Sequence, residues 1–337
     1  MVCGESGGVI SGGTAWESGW GSGSVMLTRG LATTAWILCV IGAARVTGYG
    51  QTPETDVPYT IPVNVDEVNL TFSVKDEVGR WIDDLQLPDL RLLDNGKKPM
   101  RVLSFQKLTN LPVHAGILVD TSRSMVHDMP RNRLIVSEMA EHVLRSGSDE
   151  AFVMQFDFQA RIKQDWTRDS VALTASMNGV AKDWRSRLGG TGVFDSIYIA
   201  CRDQFGGAAS GRTGNFILLF SDGLDNESHA RMEDVINRCQ QSHTSIYVFS
   251  DEPKPSHEEG QKVLQELAAK SGGRVLYDQG KGQLENLRLI EGDVRNQYEV
   301  VYKPLNLKAD GVFHRIKLDC PHRTAFFDVR TGYYAHR

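Results

Sequence analysis

Between Pro112 and Asn296, short and almost uninterrupted apolar segments alternate with segments of helical periodicity. Continuous hydrophobicity is typical of strands that are covered on both faces, because a half-solvated sheet shows polar residues at alternate positions. The intervening segments repeat apolar residues along one helix face and stop at glycines such as Gly147. This alternation predicts an α/β fold with a doubly wound, mostly parallel sheet. The predicted strands are 113–120, 151–156, 215–223, 245–251 and 274–278.

The residues on either side of this unit have a different pattern. From residue 59 to 108, and again after Asn296, apolar and polar residues alternate with the period of half-buried strands. Asn95-Gly96 lies between two apolar runs and predicts a hairpin. The first stretch is short for a sandwich, which needs about 100 residues. We therefore expect one smaller β-sandwich-like domain, built from 51–110 (an Ig-like part) and 296–337, with 111–295 inserted.

The first 50 residues predict an export segment. Residues 4–24 are rich in Gly and Ser and predict disorder. A basic residue, the 14-residue apolar stretch Leu31–Ala44 and small residues up to Gly50 then follow the layout of a secretory signal. That stretch is shorter than the roughly 20 residues of a membrane-spanning helix. We predict export to the periplasm, envelope or extracellular space, with Met26 as an alternative start. Contact with a membrane is expected only if the segment stays uncleaved.

Charge and cysteine content narrow the function classes. A net charge of −5 and a pI near 6.0 give no basic surface for nucleic acid. Removal of the export segment leaves Cys201, Cys239 and Cys320, which allow one disulfide at most. Because Cys201 and Cys239 fall on predicted helices, we expect them to be small buried side chains rather than a bridge.

Oxygen ligands follow three predicted strand or loop ends. They are Asp120, Ser122, Ser124, Thr191 and Asp222. In open α/β sheets ligands bind beyond the carboxyl ends of strands, so two carboxylates and three hydroxyls would converge there if the strands are neighbours. An all-oxygen set with two carboxylates selects a hard cation. Mg²⁺ fits best because it keeps several waters, with Mn²⁺ and Ca²⁺ as alternatives.

Each segment alone has a simpler interpretation. Asp and Ser after a strand commonly cap a helix, and Gly-Gly-Thr-Gly at 189–192 is an ordinary loop sequence. Asp225 and Asn226 either support the site loop or form a plain Asx turn. Three such segments at matching strand ends favour the metal site over these alternatives.

The residues Asp-Thr-Ser-Arg-Ser (120–124), Thr191 and Ser-Asp-Gly-Leu-Asp (221–225) resemble the metal-ion-dependent adhesion site of von Willebrand factor type A domains. The resemblance covers about 110–295 and implies a Rossmann-like fold. It also implies that Ser122 and Ser124 bind the metal directly, Thr191 directly or through water, and the two aspartates mostly through water. The flanking segments are similar to those of exported bacterial proteins with this domain, especially acidobacterial ones.

The implied function is a magnesium-dependent adhesion module that binds an Asp or Glu carboxylate of a protein partner. We expect no enzyme activity and no small-molecule substrate. One alternative is a structural envelope component whose metal only stabilises the loops. A less favoured one is a magnesium-dependent phosphatase with Asp120 as nucleophile. Ser122 argues against it, since haloacid-dehalogenase-like phosphatases carry a second Asp there.

Overall fold

A computed structural model describes residues 67–180, 190–206, 213–278 and 282–335, all within one compact unit, Ile61–Arg337. The predicted leader and export signal at 1–50 and Gly189 lie outside the described residues. Within the ranges described, no helix combines the length and hydropathy needed to cross a bilayer.

Thirteen strands and six α-helices make up the described fold. The strands are β1 (Val68–Lys75), β2 (Arg91–Asp94), β3 (Arg101–Thr109), β4 (Val113–Asp120), β5 (Glu150–Phe156), β6 (Ala160–Thr167), β7 (Gly214–Phe220), β8 (Thr244–Phe249), β9 (Val275–Leu276), β10 (Asn296–Lys303), β11 (Phe313–Asp319), β12 (Phe326–Val329) and β13 (Gly332–Tyr334). The helices are α1 (Met129–His142), α2 (Ser170–Met177), α3 (Val193–Ile199), α4 (Met232–Gln241), α5 (Glu259–Ser271) and α6 (Gln283–Arg295).

The middle of the chain forms the predicted doubly wound sheet. Six strands lie in the order β6-β5-β4-β7-β8-β9, and all neighbours are parallel except β5 and β6. Helices α1, α2 and α6 pack on one face of the sheet, whereas α3, α4 and α5 pack on the other. Burial on both faces explains the continuous apolar runs. The predicted fold class is confirmed.

Strand β6 does not appear among the strands expected from the sequence. It is one of the two edge strands of the sheet, and its charged residues Arg161 and Lys163 are exposed. An edge strand has one neighbour and a solvated face, so it lacks the apolar continuity that marks the central strands.

The strands that flank the α/β part form a two-sheet sandwich. One sheet has the order β12-β1-β10-β3 and the other β13-β11-β2. Strand β1 pairs antiparallel with β10, Leu70 opposite Val300, so chain from both sides of the α/β part shares one sheet. Leu70, Val300 and Leu318 belong to a single apolar core between the two sheets. The predicted sandwich of N-terminal and C-terminal strands is therefore confirmed.

The Asn95-Gly96 turn forms, but the hairpin predicted from it does not. Both residues adopt positive φ, 46° and 75°, and Asp94 N–H donates to the Lys97 carbonyl at 2.8 Å. The strands on either side then part, because β2 pairs with β11 and β3 pairs with β10. Pro99 follows the turn and has no N–H to continue a ladder between them.

The chain enters and leaves the α/β part at one place. Leu111, where the chain enters the α/β part, donates its N–H to the carbonyl of Arg295, where the chain leaves it, at 3.4 Å. These two points, which we call the crossings, therefore lie side by side. The Arg295 guanidinium, 6% exposed, binds the carbonyls of Leu111 and Val143 and the Asp149 carboxylate at 2.5 Å. One buried arginine thus ties both crossings to the end of α1 and the start of β5.

A second buried ion-pair network joins α6 to the sandwich. Lys75 Nζ of β1 lies 2.7 Å from Asp293 of α6, whose side chain is 2% exposed. Arg274 contacts Asp293 and also lies 2.6 Å from Asp328 of β12. The Trp81 indole donates to Asp293 at 3.2 Å. These contacts fix α6 against the sandwich.

Cys201 and Cys239 form a disulfide with a Cα–Cα distance of 5.2 Å, so the expectation of two unpaired cysteines is wrong. Cys201 lies in a π-helical turn, Ala200–Gln204, that extends α3, and Cys239 lies in α4. The two helices pack side by side on one sheet face, and both side chains enter the same core. Helical periodicity shows that each cysteine is buried but does not reveal which helices are neighbours.

Candidate metal centre

Three of the predicted ligands meet where β4 and β7 end. The strands are parallel neighbours with Val119 opposite Phe220, so the loops that follow them start together. Ser124 Oγ donates to Asp222 Oδ2 at 2.6 Å, and Ser122 Oγ lies 3.1 Å from Ser124 Oγ. The structure therefore brings residues nearly 100 positions apart into one cluster of oxygen atoms.

Asp120 lies beneath this cluster. Its side chain is fully buried, Oδ1 accepts the Ser122 N–H at 2.8 Å, and Oδ2 accepts the Ser221 hydroxyl at 2.8 Å. Burial, with a smaller contribution from the Asp222 charge, raises the pKa of Asp120 to about 6, although these hydrogen bonds act in the opposite direction. The carboxylate is held in a fixed orientation by the loop that it supports.

Within the described part of the chain, neither Asp120 nor Asp222 forms an ion pair with a basic side chain. Two neighbouring carboxylates, one of them buried, thus stand without a positive side chain to balance them. Buried charges are normally paired or bind metal ions, so this site is suited to a cation. The described residues contain no group of three His, Cys, Asp or Glu side chains able to hold a metal. The donors here are instead hydroxyls and two carboxylates, which suit a hard cation.

Thr191 lies at the same edge of the sheet, but no hydrogen bond among the described residues joins it to the cluster. Its N–H donates to Asn226 Oδ1 at 2.7 Å, and its carbonyl accepts the N–H groups of Asn226 and Glu227 at 3.1 and 3.3 Å. The next residue, Gly192, donates to the Asp157 carbonyl beyond β5 at 2.8 Å. Among the residues described, the Thr191 hydroxyl makes no hydrogen bond with the other four predicted ligands.

Asp225, Asn226 and Ser228 tie the Thr191 loop to the Asp222 loop, and we call these three residues the clasp. Asp225 Oδ2 accepts the Phe194 N–H at 2.8 Å and the Ser228 hydroxyl at 2.6 Å. Ser228 Oγ in turn accepts the Asp195 N–H at 3.0 Å. Of the two interpretations left open, Asp225 shows both, since its Oδ1 also accepts the Ser228 N–H at 3.1 Å in a local turn, whereas Asn226 supports the Thr191 loop.

Gly190 allows the clasp to close. A Cβ atom at this position would lie 1.9 Å from Asn226 Oδ1, so only glycine fits against that side chain. Asp195 of α3 binds the same loop in return, because its carboxylate accepts the N–H groups of His229 and Ala230 at 3.1 and 2.8 Å. Asp195 and Ser228 support the loops of the candidate site, and the sequence analysis did not identify them. Their only sequence signal is a polar residue near a helix start, which is common in any loop.

The model of the von Willebrand factor type A (VWA) domain matches residues 116–288, more than half of the chain. The chain belongs to the von Willebrand factor type A family. VWA domains are general adhesion and protein-interaction modules, usually without enzyme activity, and they commonly bind a divalent metal and protein partners. No curated protein matches the chain significantly.

Several solved structures are similar to the VWA part at low identity. An aerotolerance-related membrane protein from Bacteroides fragilis is 15% identical, with 54% of this chain and 98% of that chain covered and a TM-score of 0.44. BatB from Bacteroides thetaiotaomicron is 14% identical, with 53% and 95% covered and a TM-score of 0.43. Proximal thread matrix protein 1 of the mussel byssus, with a zinc-occupied metal-ion-dependent adhesion site (MIDAS) motif, is 14% identical. The match covers 55% of this chain and 48% of that chain, with a TM-score of 0.43.

Proposed function

We propose that the chain captures a protein partner through a divalent cation, Mg²⁺ in the first place, held at an intact metal-ion-dependent adhesion site. The proposed ligands are Asp120, Ser122, Ser124, Thr191 and Asp222. One observation carries the proposal: Ser122, Ser124 and Asp222 converge above the buried Asp120, and no basic side chain among the described residues balances the two carboxylates. The membership of the VWA family supports it.

The five proposed ligands have different roles, which follow from their positions in the site. Ser122 and Ser124 present hydroxyl oxygens at the half-exposed surface of the cluster, where they would bind the cation directly. Asp120 and Asp222 supply negative charge, and Asp120 also fixes the loop through the Ser122 N–H. Thr191 would complete the set from the loop that the clasp holds. A bound Mg²⁺ supplies a localised positive charge with positions left for water or a partner carboxylate.

Calorimetric titration with MgCl₂ tests the metal site. Ser122→Ala and Asp222→Ala should each weaken magnesium binding at least about tenfold, since each removes a ligand or a full charge. Ser137→Ala is the matched control, because the Ser137 hydroxyl donates to Glu141 at 3.1 Å on the exposed side of α1 and takes no part in the candidate site. Unchanged magnesium affinity in both site variants would contradict the proposal.

A pull-down from envelope extract, run with Mg²⁺ and with EDTA, tests the partner. Capture that needs both Mg²⁺ and an intact Ser122 supports adhesion. A metal-dependent melting temperature without any metal-dependent partner would instead favour a structural envelope component with a stabilising metal.

We also propose export of the chain, as in the exported bacterial and acidobacterial VWA proteins that it resembles, with a mature start near Gln51. The disulfide between Cys201 and Cys239 supports this, because disulfides persist mainly in oxidising compartments. Mass spectrometry of the protein recovered from its native compartment tests the cleavage. A mass that retains residues 26–50 would favour the uncleaved anchor.

A further inference from the structure

We propose that two exposed side chains beside the cation site, Arg123 and Leu224, select the partner. The ligand is then an acidic peptide segment in which the cation-binding Asp or Glu is accompanied by a second acidic residue and by an apolar residue. This inference rests on the proposed function and adds the chemistry of the ligand to it.

Arg123 stands between two proposed ligands, Ser122 and Ser124. It is exposed, and no residue of the described chain forms an ion pair or a hydrogen bond with it. Its backbone is helical, with φ −62° and ψ −34°, at the start of the 3-10 turn Ser124–Asp128. A free guanidinium is therefore carried by the same short loop as two of the metal ligands.

Leu224 comes from the opposite loop of the site. Its N–H donates to Asp222 Oδ1 at 3.0 Å, which fixes its backbone beside a proposed ligand, yet its side chain is 52% exposed. Gly223 before it adopts a φ of +80° and packs against the Gly260 backbone, so this turn is closely held. An isolated exposed leucine needs no explanation on most surfaces, but here its position next to Asp222 is fixed.

The charges nearby limit where a second acidic group of the ligand can bind. Burial raises the pKa of Asp128, and the charge of Asp251 acts in the same direction, whereas the charges of Arg131 and His127 lower it. The Arg131 guanidinium is already bound to the Ser250 carbonyl at 2.7 Å and lies 3.3 Å from the Asp278 carboxylate. Arg123 has no such partner among the described residues, and a guanidinium binds a carboxylate through two parallel hydrogen bonds. Charge complementarity thus selects a ligand with a second acidic residue.

The test uses short fluorescent peptides of Gly and Ser that contain one Asp, Asp with Glu, or Asp with Leu. Affinity is measured by fluorescence polarisation at low salt, in Mg²⁺ and in EDTA. The full chain should bind the Asp-Glu and Asp-Leu peptides about three- to fivefold more tightly than the peptide with Asp alone, as expected for an exposed contact. EDTA should abolish all binding.

Arg123→Gln should remove the preference for Glu and leave that for Leu, whereas Leu224→Ser should do the reverse. Arg101→Gln and Leu305→Ser are matched controls on exposed sandwich and loop positions, and both preferences should persist in them. Equal affinity for the three peptides, or preferences that survive both site variants, would overturn the inference. So would a chain that binds Mg²⁺ calorimetrically but none of the peptides. Failure to bind Mg²⁺ would instead overturn the proposed function.

Discussion

At the scale of single residues, Asp120 is the group on which the site depends. It is the last residue of β4, fully buried, and oriented by Ser122 and Ser221. Its burial raises the free energy of the ionised carboxylate, and no basic side chain in the described structure offsets this increase. A bound cation would do so, which couples metal binding to stability.

The pKa of Asp120, about 6 against an ordinary 3.8, makes this coupling depend on pH. Because folding favours the protonated acid, ionisation destabilises the metal-free fold: the penalty is absent below the ordinary pKa, grows as pH rises and is complete above about 6. Two pKa units correspond to about 3 kcal/mol. Excess Mg²⁺ should therefore raise the melting temperature more at about pH 7 than at about pH 5.

Thermal melts with Mg²⁺ and with EDTA at both pH values measure this difference. Asp120→Asn is the control, since a neutral amide has no charge to lose and the magnesium-induced shift should be small at both. An equal magnesium-induced shift of the wild-type chain at both pH values would argue against ionised Asp120 as a cation ligand.

The sequence predicted these residues unequally well. Asp120, Ser122, Ser124 and Asp222 could be placed because each is the last residue of an apolar strand or follows one within four residues, and strand ends of a parallel sheet meet. Asp195 and Ser228 could not, because their hydrogen bonds join the first turn of α3 to the loop before α4, 33 residues further along the chain, and no strand end marks either position. The spacing of the cysteines likewise carried no information about helix neighbours.

At the scale of elements, α3 and α4 are joined at both ends. The clasp connects the loops that precede them, and the disulfide connects the turn after α3 to α4. The Thr191 loop is thereby fixed relative to the Asp222 loop. The position of one proposed ligand depends on side chains that do not themselves reach the cluster.

Asn226→Ala should weaken magnesium binding about three- to tenfold without removing a ligand, because it frees the Thr191 N–H and the loop that carries Thr191. Asn226→Asp retains an acceptor oxygen and should restore most of the affinity. Calorimetric titration measures both variants.

Asn237→Ala, on α4, is the matched control and should bind Mg²⁺ as the wild type does. If Asn226→Ala also binds Mg²⁺ with wild-type affinity, Thr191 is not held in place for the cation by this contact.

Strands could be predicted from the sequence where both faces of the sheet are buried. Strand β4 was expected at 113–120 and is observed at Val113–Asp120, because every position lies in a covered sheet. Strand β6 could not be predicted, because an edge strand is half solvated. The partners of β2 and β3 could not be predicted either, because a local turn signal such as Asn95-Gly96 does not say which sheet each strand joins.

At the scale of the whole molecule, the α/β part begins and ends between two paired strands of the sandwich. Thr109 of β3 lies opposite Asn296 of β10, directly at the two crossings. We propose the boundaries 111–295 for the inserted part, with 51–110 and 296–337 forming the β domain. The side-by-side crossings are what an insertion requires, since the host sheet then closes without the insert.

The fragment 111–295 should accordingly fold alone, melt cooperatively and bind Mg²⁺ with the affinity of the full chain. It should be less stable, because it loses the contacts of Lys75 and Trp81 with Asp293. Circular dichroism melts and calorimetry on the fragment and the full chain check this. A fragment without a cooperative transition would show that the two parts form one indivisible domain.

The paired crossings also determine how the molecule bears tension. A ligand that pulls on the cation site draws the α/β part away from the sandwich and loads β3 and β10 at the same end. That direction unzips their ladder one hydrogen bond at a time, the geometry in which a sheet resists force least. The network of Lys75, Asp293, Arg274 and Asp328 spans the same junction and shares the load before the ladder opens. If the proposed adhesion is correct, the strength of a tether built from this chain would therefore depend on this ion-pair network, of which Asp293 is the buried centre.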